Sequence, residues 1–133
     1  MDEVERDQID VMFLRTRDVP ATIGATWEEL ESRLPSLRGR KFYGAFFPQT
    51  AEYHACVEVE PGDDPVALRL ELESLPGGRY ARVRLHGEPP ALYDHIAPTF
   101  DQLVAERPDC DDSRPSIEFY RRRDQIDVLL PIA

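Results

Sequence analysis

Near its C-terminal end the sequence reads Ser116-Ile117-Glu118-Phe119-Tyr120, a strand-like run with a carboxylate in its middle. Strand alternation places Glu118 and Tyr120 on one face and Ile117 and Phe119 on the other. A carboxylate between apolar neighbours faces either water or a pocket. In a pocket, desolvation raises its pKa and makes the ionised form costly until a cation arrives. A positive ligand then gains Coulomb energy and relief of that cost together. The other reading is an exposed strand Glu paired with the Arg121-Arg122-Arg123 run, itself a solvated hairpin tip. Taken alone, the residues lean slightly to this second reading.

Other chemistries lack their parts. His54 and Cys56 form a His-x-Cys pair, but no second pair follows at a finger-like spacing, so a strand or core role outweighs a metal one. Cys56 lies in an apolar alternating run and Cys110 in a Pro-Asp-Cys-Asp-Asp loop, and both read as free thiols. There is no Gly-rich phosphate loop and no Gly-x-Ser-x-Gly elbow. No cofactor and no metal are therefore expected.

The 133 residues suit one domain that needs no disulfide or metal staple. With 26 Asp and Glu against 16 Lys and Arg, the net charge of -10 repels a phosphate backbone, which argues against nucleic acid and is compatible with organic cations. No apolar run approaches the roughly 20 residues needed to cross a bilayer. The start, Met-Asp-Glu-Val-Glu-Arg, is acidic where a secretory signal would be basic and then apolar, so a cytoplasmic protein is expected. Residues 1–7 read as a disordered extension without a role.

The elements that must hold Glu118 follow from periodicity. Ile9 to Arg17 reads as a strand buried on both sides. Thr26-Trp27-Glu28-Glu29 has the form of a capping box, so a helix should start there, with Trp27, Leu30 and Leu34 as its stripe and Pro35 and Gly39 as its stop. Lys41 to Phe47 and Glu52 to Glu60 read as a hairpin, ended by Pro61-Gly62-Asp63-Asp64-Pro65. From Val66 to Glu73 apolar and polar residues alternate as in a strand with one wet face, and Leu75-Pro76-Gly77-Gly78 turns that strand into a second one around Ala81, Val83 and Leu85. Pro89-Pro90 opens a second helix striped by Leu92, Ile96, Phe100 and Leu103, with a kink or restart expected at Thr99 after Pro98. Ser116 to Arg121 and Ile126 to Ile132 close the chain as a hairpin.

A strand-helix-strand-strand unit thus occurs twice, over about residues 8–62 and 66–133. The residues also carry a resemblance. Tyr43-Gly44, Tyr53-His54-Ala55-Cys56-Val57, Leu75-Pro76-Gly77-Gly78-Arg79-Tyr80-Ala81, His86-Gly87 and Pro115-Ser116-Ile117-Glu118-Phe119-Tyr120 are similar, in this order, to runs of the GyrI-like (DNA gyrase inhibitor-like) small-molecule-binding domains. The resemblance covers the chain after about Gln8. It implies an α+β fold: a pseudo-twofold antiparallel sheet with two helices and a central pocket that in many members holds bulky, often cationic, aromatic compounds. In multidrug-sensing transcription regulators the domain binds the effector beside a helix-turn-helix, for which no residues remain here. A stand-alone binder is therefore expected.

The resemblance puts Glu118 at the family's acidic position and shifts the balance to the pocket reading. Aromatic rings supply the rest of such a site, since their faces stack on aromatic ligands and attract cations. The expected ligand-binding residues are Glu118, Tyr120, Tyr43, Trp27 and Tyr93. Tyr43 is placed by the pseudo-symmetry as the partner of Glu118, and Trp27 and Tyr93 by the starts of the two helices. Core packing is an equal alternative for Trp27, and Tyr53 and Tyr80 read as structural. The expected partner is a small molecule, aromatic and often cationic, with no membrane and no direct nucleic acid. A homodimer through an exposed strand edge and a protein partner, as for a gyrase modulator, stay open. The alternative activity is hydrolysis of strained cyclopropane-type compounds, with Glu118 as the catalytic group.

Overall fold

The computed structural model describes residues Met1–Ala133. Eight strands, β1 (Asp2–Arg6), β2 (Ile9–Arg17), β3 (Phe42–Phe47), β4 (Glu52–Glu58), β5 (Glu71–Leu75), β6 (Gly78–His86), β7 (Ser116–Arg122) and β8 (Gln125–Pro131), form one curled antiparallel sheet. Its order is β1-β6-β8-β7-β3-β4-β2-β5. Exchanging each strand of the first half with its counterpart in the second turns this order into its own reverse. The fold is therefore the expected pseudo-twofold α+β sheet, with β3 and β7 meeting at the centre.

The first half contains one strand more than the sequence pattern shows. Residues 1–7, expected to be disordered, instead contain β1, paired with β6 from Asp2↔Arg82 to Arg6↔Gly78. Its alternation is masked by acidic residues, and Val4 is the side chain that packs toward the core. The Pro76-Gly77 segment is not the hairpin turn expected: β5 pairs with β2, and β6 with β1 and β8. Arg6↔Gly78 and Ile9↔Leu75 keep one register across the break, so β1 with β2 runs as a single ribbon against β5 with β6. Gly77 permits that crossing, because a Cβ there would stand 2.8 Å from the Arg6 carbonyl oxygen.

Two further expectations are corrected. The first helix, α1 (Pro20–Arg33), starts six residues before Thr26, whose hydroxyl donates to the Thr22 carbonyl at 2.7 Å instead of capping. Pro20 in the first turn is preset for a helix, and Leu34, extended before Pro35, ends it. The alternating run from Val66 begins as a short helix, α2 (Pro65–Leu68): Asp64 caps it by accepting from the Ala67 amide at 3.3 Å, and Arg69 leaves it at φ 57°. Local capping there wins over period two. A 3-10 turn (Ala91–His95) leads into α3 (Ile96–Glu106), where Pro98 falls within the first turn and breaks nothing.

Side-chain alternation divides the interior. One face of the sheet carries Val11, Phe13, Tyr43, Cys56, Tyr80, Ile117 and Leu129. The other is covered by helices: α1 sits over Met12, Tyr53, Ala55 and Val57, and α3 over Ala81, Ile126, Val128 and Leu130. Between these two clusters lies the helix-side face of β3 and β7, where Glu118 is only partly buried. No helix is long and apolar enough to cross a membrane.

Candidate functional site

At the centre of this face two residues stand opposite each other across the central strand pair, Gly44 on β3 and Glu118 on β7. Gly44 interrupts the bulky run Phe42-Tyr43-Gly44-Ala45-Phe46-Phe47 because the space over its Cα is occupied. A Cβ there would stand 2.1 Å from the Tyr53 hydroxyl oxygen and 2.6 Å from Glu118 Oε1. The missing side chain admits the polar cluster.

Tyr120 and Tyr53 both donate to Glu118 Oε1, at 2.6 and 2.9 Å. Trp27 Nε1 in turn donates to the Tyr53 hydroxyl oxygen at 3.1 Å. The Trp27 ring stands edge-on to Tyr120 at 5.3 Å between centroids and to Phe42 at 6.1 Å, and Tyr93 stands edge-on to Tyr120 at 6.4 Å. Trp27 reaches this place because α1 presents it on the same stripe as Leu30 and Leu34, which anchor the helix to β2 and β4.

Burial raises the Glu118 pKa and Asp18 adds to the rise, while the hydrogen bonds from Tyr120 and Tyr53 oppose it. The two phenols are pushed well above their usual range, first by burial and then by the Glu118 charge. Glu118 nonetheless keeps part of its surface in contact with solvent. No Lys, Arg or His neutralises it: its polar partners are the two phenols.

The structure thus brings together Glu118, Tyr120 and Trp27, with the half-exposed Tyr93 at the rim. It does not bring Tyr43 there. Tyr43 pairs with Phe119, one register step from Glu118, so its ring points to the opposite face of the sheet and stacks on Phe119 at 4.8 Å. The place opposite Glu118 belongs to Gly44. Tyr53, read from sequence as structural, is the second phenol of the site. The available signal was Gly44, since a glycine inside a bulky strand marks a close approach from a neighbouring strand.

Two depressions lie elsewhere, and Glu118 lines neither. One of about 460 Å³ lies between β2 and α1, lined by Leu14, Thr16, Ala21, Ala25 and Glu29 among others. The second, of about 390 Å³, lies beside Arg6, Lys41, Tyr43 and Glu58.

The sequence model of the GyrI-like small molecule binding domain matches residues 1–133. Among solved structures, an integron cassette protein from the mobile metagenome of Vibrio cholerae superposes with a TM-score of 0.80 at 17% identity, over 99% of this chain and 95% of that one. The protein SAV2435, solved bound to tetraphenylphosphonium, gives 0.69 at 11% identity, over 99% and 93%. A hydrolase from Listeria innocua gives 0.54 at 10% identity, over 99% and 90%. At these identities the likeness is one of fold. No curated protein matches in sequence.

Proposed function

The chain belongs, along its whole length, to the GyrI-like small-molecule-binding domains, and from that premise we propose that it binds lipophilic aromatic cations over Glu118. Trp27, Tyr53, Tyr120 and Tyr93 are the aromatic walls in this reading. The observation that carries it is a deep carboxylate with hydrogen-bond donors but no counter-ion of its own. Such a group is destabilised by its setting, and a cation with apolar flanks offsets that cost on arrival. The rings add stacking and cation–π attraction of about 0.5 to 2 kcal/mol each. The tetraphenylphosphonium held by SAV2435, a protein of the same fold, supports this ligand class.

The test is calorimetry and thermal melting with tetraphenylphosphonium on the wild type and Glu118→Gln. At a hundredfold excess over its dissociation constant the ligand should stabilise the wild type by about 2.7 kcal/mol. Glu118→Gln should weaken binding roughly 100-fold, the usual scale for removing a buried charge partner. The unliganded variant should melt no lower than the wild type. A carboxylate whose pKa is raised on folding costs stability above that pKa, and the neutral amide removes this cost. Equal binding by both proteins, or a neutral aromatic of similar shape binding as well as the cation, would overturn the reading.

A second reading, hydrolysis, is favoured by the donor chain from Trp27 through Tyr53 to a carboxyl of raised pKa, which suits a group that passes a proton or directs water. Turnover of a strained-ring compound, lost in Glu118→Gln, would separate it from binding.

A further inference from the structure

The two oxygens of Glu118 are not equivalent. Oε1 accepts both phenolic protons, from Tyr120 at 2.6 Å and Tyr53 at 2.9 Å, and lies against the Cα of Gly44. Oε2 accepts nothing from the protein. Every fully buried side-chain oxygen and nitrogen in the molecule has a hydrogen-bond partner, so Oε2 must be an atom that reaches solvent. The protein satisfies one side of the carboxylate completely and leaves the lone pairs of the other side to whatever enters the site.

We infer that this site prefers aromatic cations that carry an N–H on the charged nitrogen, such as protonated tertiary amines, over fully substituted onium ions. The inference rests on the cation-binding reading and names its ligand class. A fully substituted cation brings charge alone, and its carbon shell keeps that charge away from Oε2. A protonated amine brings the same charge and also a donor for the one oxygen that lacks one. A charge-assisted hydrogen bond is about twice as strong as a neutral one, and in a site sheltered by aromatic rings little water competes for it. The phenols and the indole N–H offer an incoming donor nothing better. The Tyr53 oxygen already accepts from Trp27, the indole N–H cannot accept, and a neutral phenol oxygen is a weaker acceptor than the charged Oε2.

The experiment compares two probes that differ by one methyl group, naphthylmethyl-dimethylammonium and naphthylmethyl-trimethylammonium, by calorimetry at neutral pH on the wild type and Glu118→Gln. The dimethyl ion should bind the wild type roughly tenfold tighter, and the preference should vanish in Glu118→Gln. Raising the pH until the dimethyl compound loses its proton should abolish its advantage without changing the trimethyl ion. Equal affinities, or a preference for the trimethyl ion, would overturn the inference while leaving cation binding intact. A preference that survives in Glu118→Gln would trace it to size and overturn it as well. If neither ion binds, nor tetraphenylphosphonium, the cation-binding reading itself fails and this inference with it.

Discussion

Tyr53 and His54 are adjacent in β4 and face opposite sides of the sheet, and each anchors a polar cluster among aromatic rings. On the helix-free side the His54 ring lies between Phe13 and Phe47, with centroids 4.4 and 4.3 Å away, and is almost fully buried. Its Nδ1 meets Glu73 Oε2 at 2.7 Å and its Nε2 meets Glu52 Oε1 at 2.9 Å, an arrangement that favours an imidazolium donating on both sides. Burial works against that charge, but the bonds and charges of Glu73 and Glu52 outweigh it and raise the pKa. Arg15 extends the balance by bonding Glu71 at 2.7 and 2.8 Å and Glu52 at 3.4 Å. On the helix side Tyr53 serves a carboxylate with donors and no cation. Both regions are polar, aromatic and sheltered, and they differ in whether the charge is answered from within. The answered cluster ties β5 to β2 and β4, whereas the unanswered one leaves Glu118 without a cationic partner.

The largest effect should come from breaking the answered cluster. His54→Ala removes a packed ring and leaves two carboxylates facing each other, which should cost about 3 kcal/mol of folding stability in denaturant melts. The loss should depend on pH with a definite sign. A histidine whose pKa is raised on folding contributes fully below its ordinary value of 6.5, and that contribution fades as pH rises through the raised value. The gap between wild type and variant should therefore be widest below 6.5 and narrow as pH rises through the raised value. Cation binding should be unaffected, since the ring faces the other side. A gap that widens with pH would show that the ring is neutral and that the comparison drawn here is mistaken.

A middle-sized effect should come from the floor of the unanswered cluster. Gly44→Ala places a methyl 2.1 Å from the Tyr53 hydroxyl oxygen, so the phenol must withdraw from Glu118. Overpacking of this kind costs about 2 kcal/mol, and tetraphenylphosphonium affinity should fall as the carboxylate loses its position. Gly24→Ala supplies the contrast: nothing lies within 4 Å of a Cβ there, and the residue is within α1, so stability should rise by about 0.5 to 1 kcal/mol with binding unchanged. If the two alanines behave alike in both melting and binding, Gly44 has no special part in the site.

What the sequence discloses about this contrast depends on how local the information is. The hairpins of β3 with β4 and β7 with β8 are readable because pattern and turn lie together, and alternation along β7 already sets Glu118 and Tyr120 on one face. Trp27 is readable as a residue on an apolar helical stripe. Pairings across the halves are not readable in this way. β1 looks like a charged tail until β6 supplies its partner, and the crossing of β5 to β2 resembles a turn because Pro76-Gly77 is turn chemistry. The same limit misplaced Tyr43: which β3 residue opposes Glu118 depends on the β3–β7 register, a contact more than seventy residues apart in the chain. The duplication held the missing information about β1. A second half that opens with two strands implies a first half that does the same.

The smallest expected effect tests the boundary between the faces. Tyr43 is 2% exposed, stacked on Phe119, and its hydroxyl lies 3.4 Å from Glu58 Oε1, at the long end of hydrogen bonding. Burial, reinforced by the Glu58 charge, pushes its pKa up to about 12, so it stays a neutral phenol across the usual range of assays. Tyr43→Phe keeps the stacked ring and removes only that weak bond, which should cost less than about 1 kcal/mol of stability. Because the strand turns this side chain away from Glu118, tetraphenylphosphonium affinity should stay within roughly twofold of the wild type, below the 1.4 kcal/mol that a tenfold change represents. A tenfold loss on Tyr43→Phe would mean that ligands reach the helix-free face, beside Arg6 and Glu58. The balanced and unbalanced sides of the sheet would then have to exchange roles.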